Sequence, residues 1–215
     1  MIPLKPFYLL RHGLSEANVA GLAAGGAMDS PLTEEGEKQA LIAAEILHKE
    51  NMEIGRIFHS PMKRAHKTAT LANTHRSIEM ELVPTLHEIM FGDWEGLLWE
   101  DIAEDFLNRV PPPNGENEQQ HTTRVRSALG YALSHELSAP PLIVAHGGTF
   151  HAFGHMHNYA MQSISNCHLH YFEPWAENTA MPWKIFSYEM TEGKVTRSVA
   201  TSCPTMQETG ESASA

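Results

Sequence analysis

Apolar residues along this chain fall into two alternating spacings. Short runs at Phe7–Leu10, Ile54–His59, Glu81–Leu86, Leu142–Ala145, His168–Phe172 and Lys184–Met190 read as strands. Between most of them the apolar positions take a helical period. Thr33 is placed to cap one such helix, with Glu34, Glu35 and Glu37 near its positive end and Ala40, Ile42, Ala43, Ile46 and Leu47 as its apolar stripe. Ser60-Pro61 is a second start signal, a capping residue followed by proline at the first helical position, and the helix it opens would carry Arg64 back towards a strand end. A helical region over Leu98–Val110 stops at Pro111-Pro112-Pro113. Asn114-Gly115 then turns the chain, and Asn117 with Gln120 makes a capping-box pattern that opens a helix over Thr122–Leu137. This alternation predicts a doubly wound α/β fold, a mainly parallel sheet flanked by helices on both faces, with antiparallel edges among the last strands. The length suits one domain over residues 1–200, and residues 201–215 lack periodicity and read as a flexible C-terminal tail.

Charge and composition then narrow the function. Fifteen Lys and Arg against 26 Asp and Glu give a net charge of −11, which argues against nucleic acid or an anionic membrane as partner. An anion site must therefore be a local gathering of cations. Leu137–Phe172 carries no charged residue, yet Pro140, Pro141, Gly147-Gly148 and six histidines make it costly in hydrocarbon. Two cysteines, Cys167 and Cys203, supply no disulfide framework, and the N-terminus lacks a secretory pattern, so the cytoplasm is the simplest compartment.

The chemistry gathers at strand ends. Arg11-His12-Gly13 puts a guanidinium, an imidazole and a flexible backbone hinge directly after the first strand, where open α/β sheets hold ligands. Asn18 reaches the same spot if a helix starts near Ser15. Downstream, Pro141–Ala145 reads as a buried strand ending in His146-Gly147-Gly148, and two strand ends that each deliver a histidine suggest one site. Five blocks occur in order: Arg11–Asn18, Asp29–Gly36, Ser60–Ala69, Leu86–Gly96 and His146-Gly147-Gly148. On these blocks the chain resembles the histidine phosphatase superfamily, in its phosphoglycerate-mutase-like branch.

The resemblance implies a metal-independent phosphomonoesterase that acts on a small phosphorylated substrate through a phosphohistidine. Phosphoryl transfer asks for a nucleophile, stabilisation of the equatorial oxygens and a proton for the leaving group. By resemblance His12 is the nucleophile, its ring oriented by the Gly13 carbonyl. Arg11 and Arg64 clamp the phosphate with forked donors, Asn18 adds a neutral donor, and His146, protonated beside phosphate, completes the set with Gly147. Glu88 is the general acid, which requires a pKa above that of free glutamate, favoured by the phosphate dianion and by burial against Phe91 and Trp94. Two guanidinium groups supply the neutralisation, so neither metal nor other cofactor is expected. Glu95 is the weaker candidate acid and reads as structural or solvated. A metal reading of His151, His155 and His157, the first two on one helix face, suffers from the lack of an acidic or thiol ligand nearby in sequence. Gly25-Gly26-Ala27-Met28 departs from the family pattern, as if a polar contact to the leaving group were missing. The alternatives are a phosphoglycerate mutase and a non-catalytic phosphate-binding protein. His146 follows Glu88 by only 58 positions, short for a segment that closes over a bisphosphate, which favours hydrolysis. The substrate's identity and the oligomeric state, a homodimer included, stay open.

Overall fold

The computed structural model describes residues 1–161 and 164–200. Their strands are β1 (Phe7–Arg11), β2 (Ile57–His59), β3 (Met80–Leu82), β4 (Leu142–Ala145), β5 (Leu169–Pro174), β6 (Trp183–Thr191) and β7 (Lys194–Val199). The helices are α1 (Glu16–Val19), α2 (Glu34–Lys49), α3 (Lys63–Ala72), α4 (Trp99–Leu107), α5 (Glu118–Ser134) and α6 (Gly147–Met156). One sheet holds all seven strands in the order β3-β2-β4-β1-β5-β6-β7. Its first four strands run parallel, and β5, β6 and β7 add in antiparallel fashion on the other side of β1.

Strand geometry divides the core into two layers. Phe7 and Leu9 of β1 face α5 and α6, where Val125, Leu129, Phe150 and Phe153 pack. Tyr8 and Leu10 face α2 and α3, meeting Ala43, Leu47, Ala65 and Ala69. A strand covered on both sides needs an unbroken apolar run, and Phe7–Leu10 is one. Complete burial of Phe7, Leu9 and Leu10 contributes roughly 2 kcal/mol each.

Two of the three caps inferred from sequence are present. Thr33 accepts from the Gly36 amide at 3.0 Å, and Asn117 and Gln120 exchange side-chain and backbone bonds at 2.9 Å each. Several boundaries differ from expectation. Of the run Ile54–His59 only the last three residues join the sheet. β3 stops before Pro84, which has no N–H for a ladder and instead opens a 3₁₀ turn over Pro84–Leu86. Ile42 is 44% exposed, so the α2 stripe is narrower than expected and leans on Ala44 instead. α4 is shorter than the expected helix, and α5 starts earlier and ends earlier. β7 was not anticipated: it is a mostly exposed edge strand, joined to β6 by Glu192-Gly193 with both residues at positive φ, a hairpin turn geometry. The charge-free stretch 137–172 divides among β4, α6 and β5, and no helix among the described residues is long and apolar enough to cross a membrane. The expected tail lies outside the described residues.

His170 of β5 is a polar residue in this core. It is 2% exposed against the Phe150 ring, and burial, reinforced by His168, lowers its pKa to about 3. An unfolded chain takes up that proton near pH 6.5 while the folded chain does not, so His170 erodes stability as pH falls from 6.5 towards 3. Between pH 7.5 and pH 5 its share of the loss should be about 2 kcal/mol. Urea unfolding of His170→Leu should accordingly show a drop between these pH values smaller by that amount, and an identical drop in variant and wild type would contradict the assignment.

Candidate functional site

Parallel pairing of β1 with β4 sets Arg11 opposite Ala145, and the His12 amide donates to the Ala145 carbonyl at 2.9 Å. The two chains therefore leave the sheet side by side. The rings of His12 and His146 lie 5.1 Å apart, nearly edge to face. Above them is a cavity of about 190 Å³ whose wall includes Arg11, His12, Asn18, Arg64, Glu88 and Gly147. His146 is fully buried beside His12, and Gly147 starts α6, whose positive end is thus turned to the cavity.

His12 is held from several directions. Its Nδ1 lies 2.8 Å from the Gly13 carbonyl, and its own carbonyl accepts from Asn166 Nδ2 and the Cys167 amide. A carbonyl partner makes Nδ1 the protonated nitrogen and leaves the Nε2 lone pair free. Burial, then the charge of Arg64, holds the His12 pKa well below its usual value, with the Gly13 carbonyl acting the other way and Arg11 adding to the lowering. The ring is neutral at neutral pH. Gly13 is not a hinge, as its sequence context suggested. A Cβ there would lie 2.3 Å from the Gly36 carbonyl, so glycine lets the His12 loop rest on α2. Its amide donates to Thr68 Oγ1 at 3.0 Å, tying the loop to α3 as well.

Arg64, the second residue of α3, is 1% exposed. Its guanidinium donates to the carbonyls of Met28, Ala24 and Gly25 at 3.0, 3.2 and 3.1 Å. That loop is fixed in turn by Glu95, whose carboxylate accepts from the amides of Gly25, Ala27, Met28 and Phe91 at 2.9 to 3.2 Å. Glu95 is therefore structural, and the segment from Ala24 to Met28 serves as a carbonyl cradle for an arginine. The Ser60-Pro61 signal was misread. α3 begins at Lys63, and its amide is capped by the Asp29 carboxylate at 3.0 and 3.1 Å. Ser60 instead places its hydroxyl 2.7 Å from His146 Nε2 and accepts from the Met62 amide.

Glu88 accepts from the Ile89 amide at 2.9 Å and the Gly148 amide at 3.1 Å, which aims it at the cavity. Gly148 permits this approach, since a Cβ would lie 2.0 Å from Glu88 Oε1. Phe91 shares the cavity wall, whereas Trp94 packs with Ala23, Phe91 and Ile102 in a separate small cluster. Asn18 uses Oδ1 to accept from the Ser15 amide and from Asn166, each at 3.2 Å, so its amide nitrogen remains as donor. Arg11 bonds the Ile164 carbonyl, and its buried Nε has no partner among the described residues. Burial and the neighbouring Arg64 charge keep the pKa of His146 well below the usual value, and a phosphate dianion beside it would act in the opposite direction.

Sequence reasoning missed Ser60, Thr68, Asn166, and the walls Leu22, Trp99, Phe106 and His151. Only Ser60 and Thr68 lay inside a quoted motif block. His151, His155 and His157 do not gather: His155 pairs with Glu118 at 3.2 Å, while His157 packs on Phe153 and Trp183. No group of three or more metal-ligating side chains occurs among the described residues.

A seven-stranded α/β sheet with two His-Gly strand ends under one arginine-lined cavity defines the class as a phosphate-ester enzyme. The chain belongs to the histidine phosphatase superfamily, branch 1, whose model matches residues 7–180, and it is accordingly a phosphoric monoester hydrolase by family. It is 37% identical over 152 residues to the adenosylcobalamin/alpha-ribazole phosphatase of Salmonella typhimurium, covering 66% of this chain and 73% of that one. It is 33% identical over 150 residues to the Photorhabdus laumondii protein named probable phosphoglycerate mutase GpmB, covering 65% and 68%. The solved structure of Bacillus stearothermophilus YhfR superposes with a TM-score of 0.72 at 25% identity, covering 89% of this chain and 98% of that one.

Glu95→Gln tests the cradle. It replaces one acceptor oxygen by an NH₂ group facing backbone amides, which should cost at least about 2 kcal/mol in urea unfolding and weaken binding of inorganic phosphate. An unfolding curve unchanged from wild type would contradict the role given to Glu95.

Proposed function

We propose that the protein hydrolyses phosphate monoesters, without metal, through a phosphohistidine on His12. The observation that carries this reading is a neutral, carbonyl-anchored imidazole sharing one small cavity with two arginines and a carboxyl group. The substrate phosphate sits between Arg11 and Arg64, with Asn18, the N-terminus of α6 at Gly147, and His146 beside His12 as further donors. His12 Nε2 attacks phosphorus, the bond to the ester oxygen breaks, and Glu88 delivers its proton to the departing alkoxide. Water then attacks the phosphohistidine, Glu88 takes the water's proton, and inorganic phosphate leaves with His12 restored.

Hydrolysis is favoured over a mutase reaction by access. Between Glu88 and His146 the chain is taken up by a short 3₁₀ turn, α4, the proline turn, α5 and β4, and Trp99 and Phe106 at the cavity edge are 36% and 43% exposed, which favours entry of water over a closed cover. A purely binding role is disfavoured because a phosphate receptor needs cations but neither a neutral imidazole nucleophile nor a carboxyl beside it.

Two variants separate the roles. His12→Ala should abolish both turnover and acid-labile phosphoryl labelling. Glu88→Gln should slow alkyl phosphates by about 10²–10⁴-fold while sparing activated aryl phosphates, whose leaving groups scarcely need a proton. Equal impairment of both substrate classes would remove Glu88 from the acid's role.

A further inference from the structure

The phosphate cavity opens at its outer end. Ile89, Phe91, Phe106, Gly148 and His151 line both it and a neighbouring cavity of about 260 Å³, whose other walls include Leu107, Val110, Pro111 and Pro112. That second space shares Arg109, Glu118, His151 and His155 with a third, of about 550 Å³. The three stand in series as a cationic cradle, an apolar middle and a polar end, and His151 borders all of them.

The charges of the third space are unbalanced. Arg126 lines it without an ion pair among the described residues, while Arg109 shares Glu118 with His155, at 3.6 and 3.2 Å. In a chain of net charge −11, two arginines and one carboxylate give this concave space a local excess of positive charge. The middle space is walled by rings, with Phe91 and Phe106 centred 6.2 Å apart and Phe106 still half open to solvent.

We propose that the substrate is a large phosphate monoester whose leaving group carries a flat apolar ring and, beyond it, an anionic group. The ring lies against Phe91 and Phe106, and the anion reaches Arg126 and Arg109. This rests on the phosphatase reading of the inner cavity and adds the chemical class of what is attached to the phosphate. A small sugar or amino-acid phosphate would fill the inner space and leave the two larger ones to water.

Three esters of graded reach test the proposal: phenyl phosphate, 2-naphthyl phosphate and 6-carboxy-2-naphthyl phosphate. In the wild type kcat/KM should rise along the series, chiefly through KM. Because the esters differ in intrinsic reactivity, the decisive readout is each variant's loss on one ester relative to its loss on another. Arg126→Ala should cost about tenfold more on the carboxynaphthyl ester than on 2-naphthyl phosphate, with Arg126→Lys recovering part of the difference. Phe106→Ala should cost several-fold more on both naphthyl esters than on phenyl phosphate. Hydrolysis of all three esters with uniform losses in the variants would overturn the proposal and leave the phosphatase reading intact. Failure to hydrolyse even phenyl phosphate would overturn both.

Discussion

The register between β1 and β4 is the constraint on which the rest of the structure depends. With Arg11 opposite Ala145, the residues that follow each strand, His12 and His146, emerge together on the same edge of the sheet. A slip of one residue would exchange the two faces of β1, sending Phe7 and Leu9 into the layer built for Tyr8 and Leu10. It would also part the two imidazoles. The apolar layers that fix this register thus also fix the geometry of the site, so core packing and chemistry are one specification.

A second constraint concerns how buried cations are kept in place. Arg64 directs its hydrogen bonds to three backbone carbonyls, with the Asp29 carboxylate 3.8 Å from one terminal nitrogen, and Arg11 uses a fourth carbonyl. Carbonyls offset the desolvation of a guanidinium and leave more of its charge to act on an incoming anion than a bidentate carboxylate would. The carboxylate of Glu95 works one step away, holding the carbonyls rather than the arginine. The same field, with burial as its larger companion, keeps His12 and His146 neutral. An imidazole nucleophile and a phosphate cradle are therefore compatible in one cavity: the cations that attract the substrate also keep the attacking nitrogen unprotonated.

Much of this was legible in the sequence, for reasons that differ by element. β1 and β4 are buried on both faces, so their apolar runs are unbroken, and the capping pairs at Thr33 and Asn117 are local chemistry readable from a few neighbouring residues. What failed was non-local. Ser60 reads as a helix cap until His146, 86 positions away, claims its hydroxyl, and the cap it would have supplied comes from Asp29. Gly13 reads as a hinge because its contact is Gly36 on another element. Glu95 reads only as structural or solvated, and its partners could not be named because the four amides it accepts from are spread over two loops. The edge strand β7 was missed because only a mostly exposed pattern and a Glu192-Gly193 turn announce it.

The central claim is that His12 stands ready as a neutral imidazole with its proton on Nδ1. Two-bond ¹⁵N–¹H correlation spectra of the histidine rings, recorded across a pH series with His12→Gln used for assignment, report this directly. The account predicts a His12 signal of the Nδ1–H tautomer that persists without titration well below pH 6.5. An imidazolium at pH 7, or a neutral ring protonated on Nε2, would contradict it.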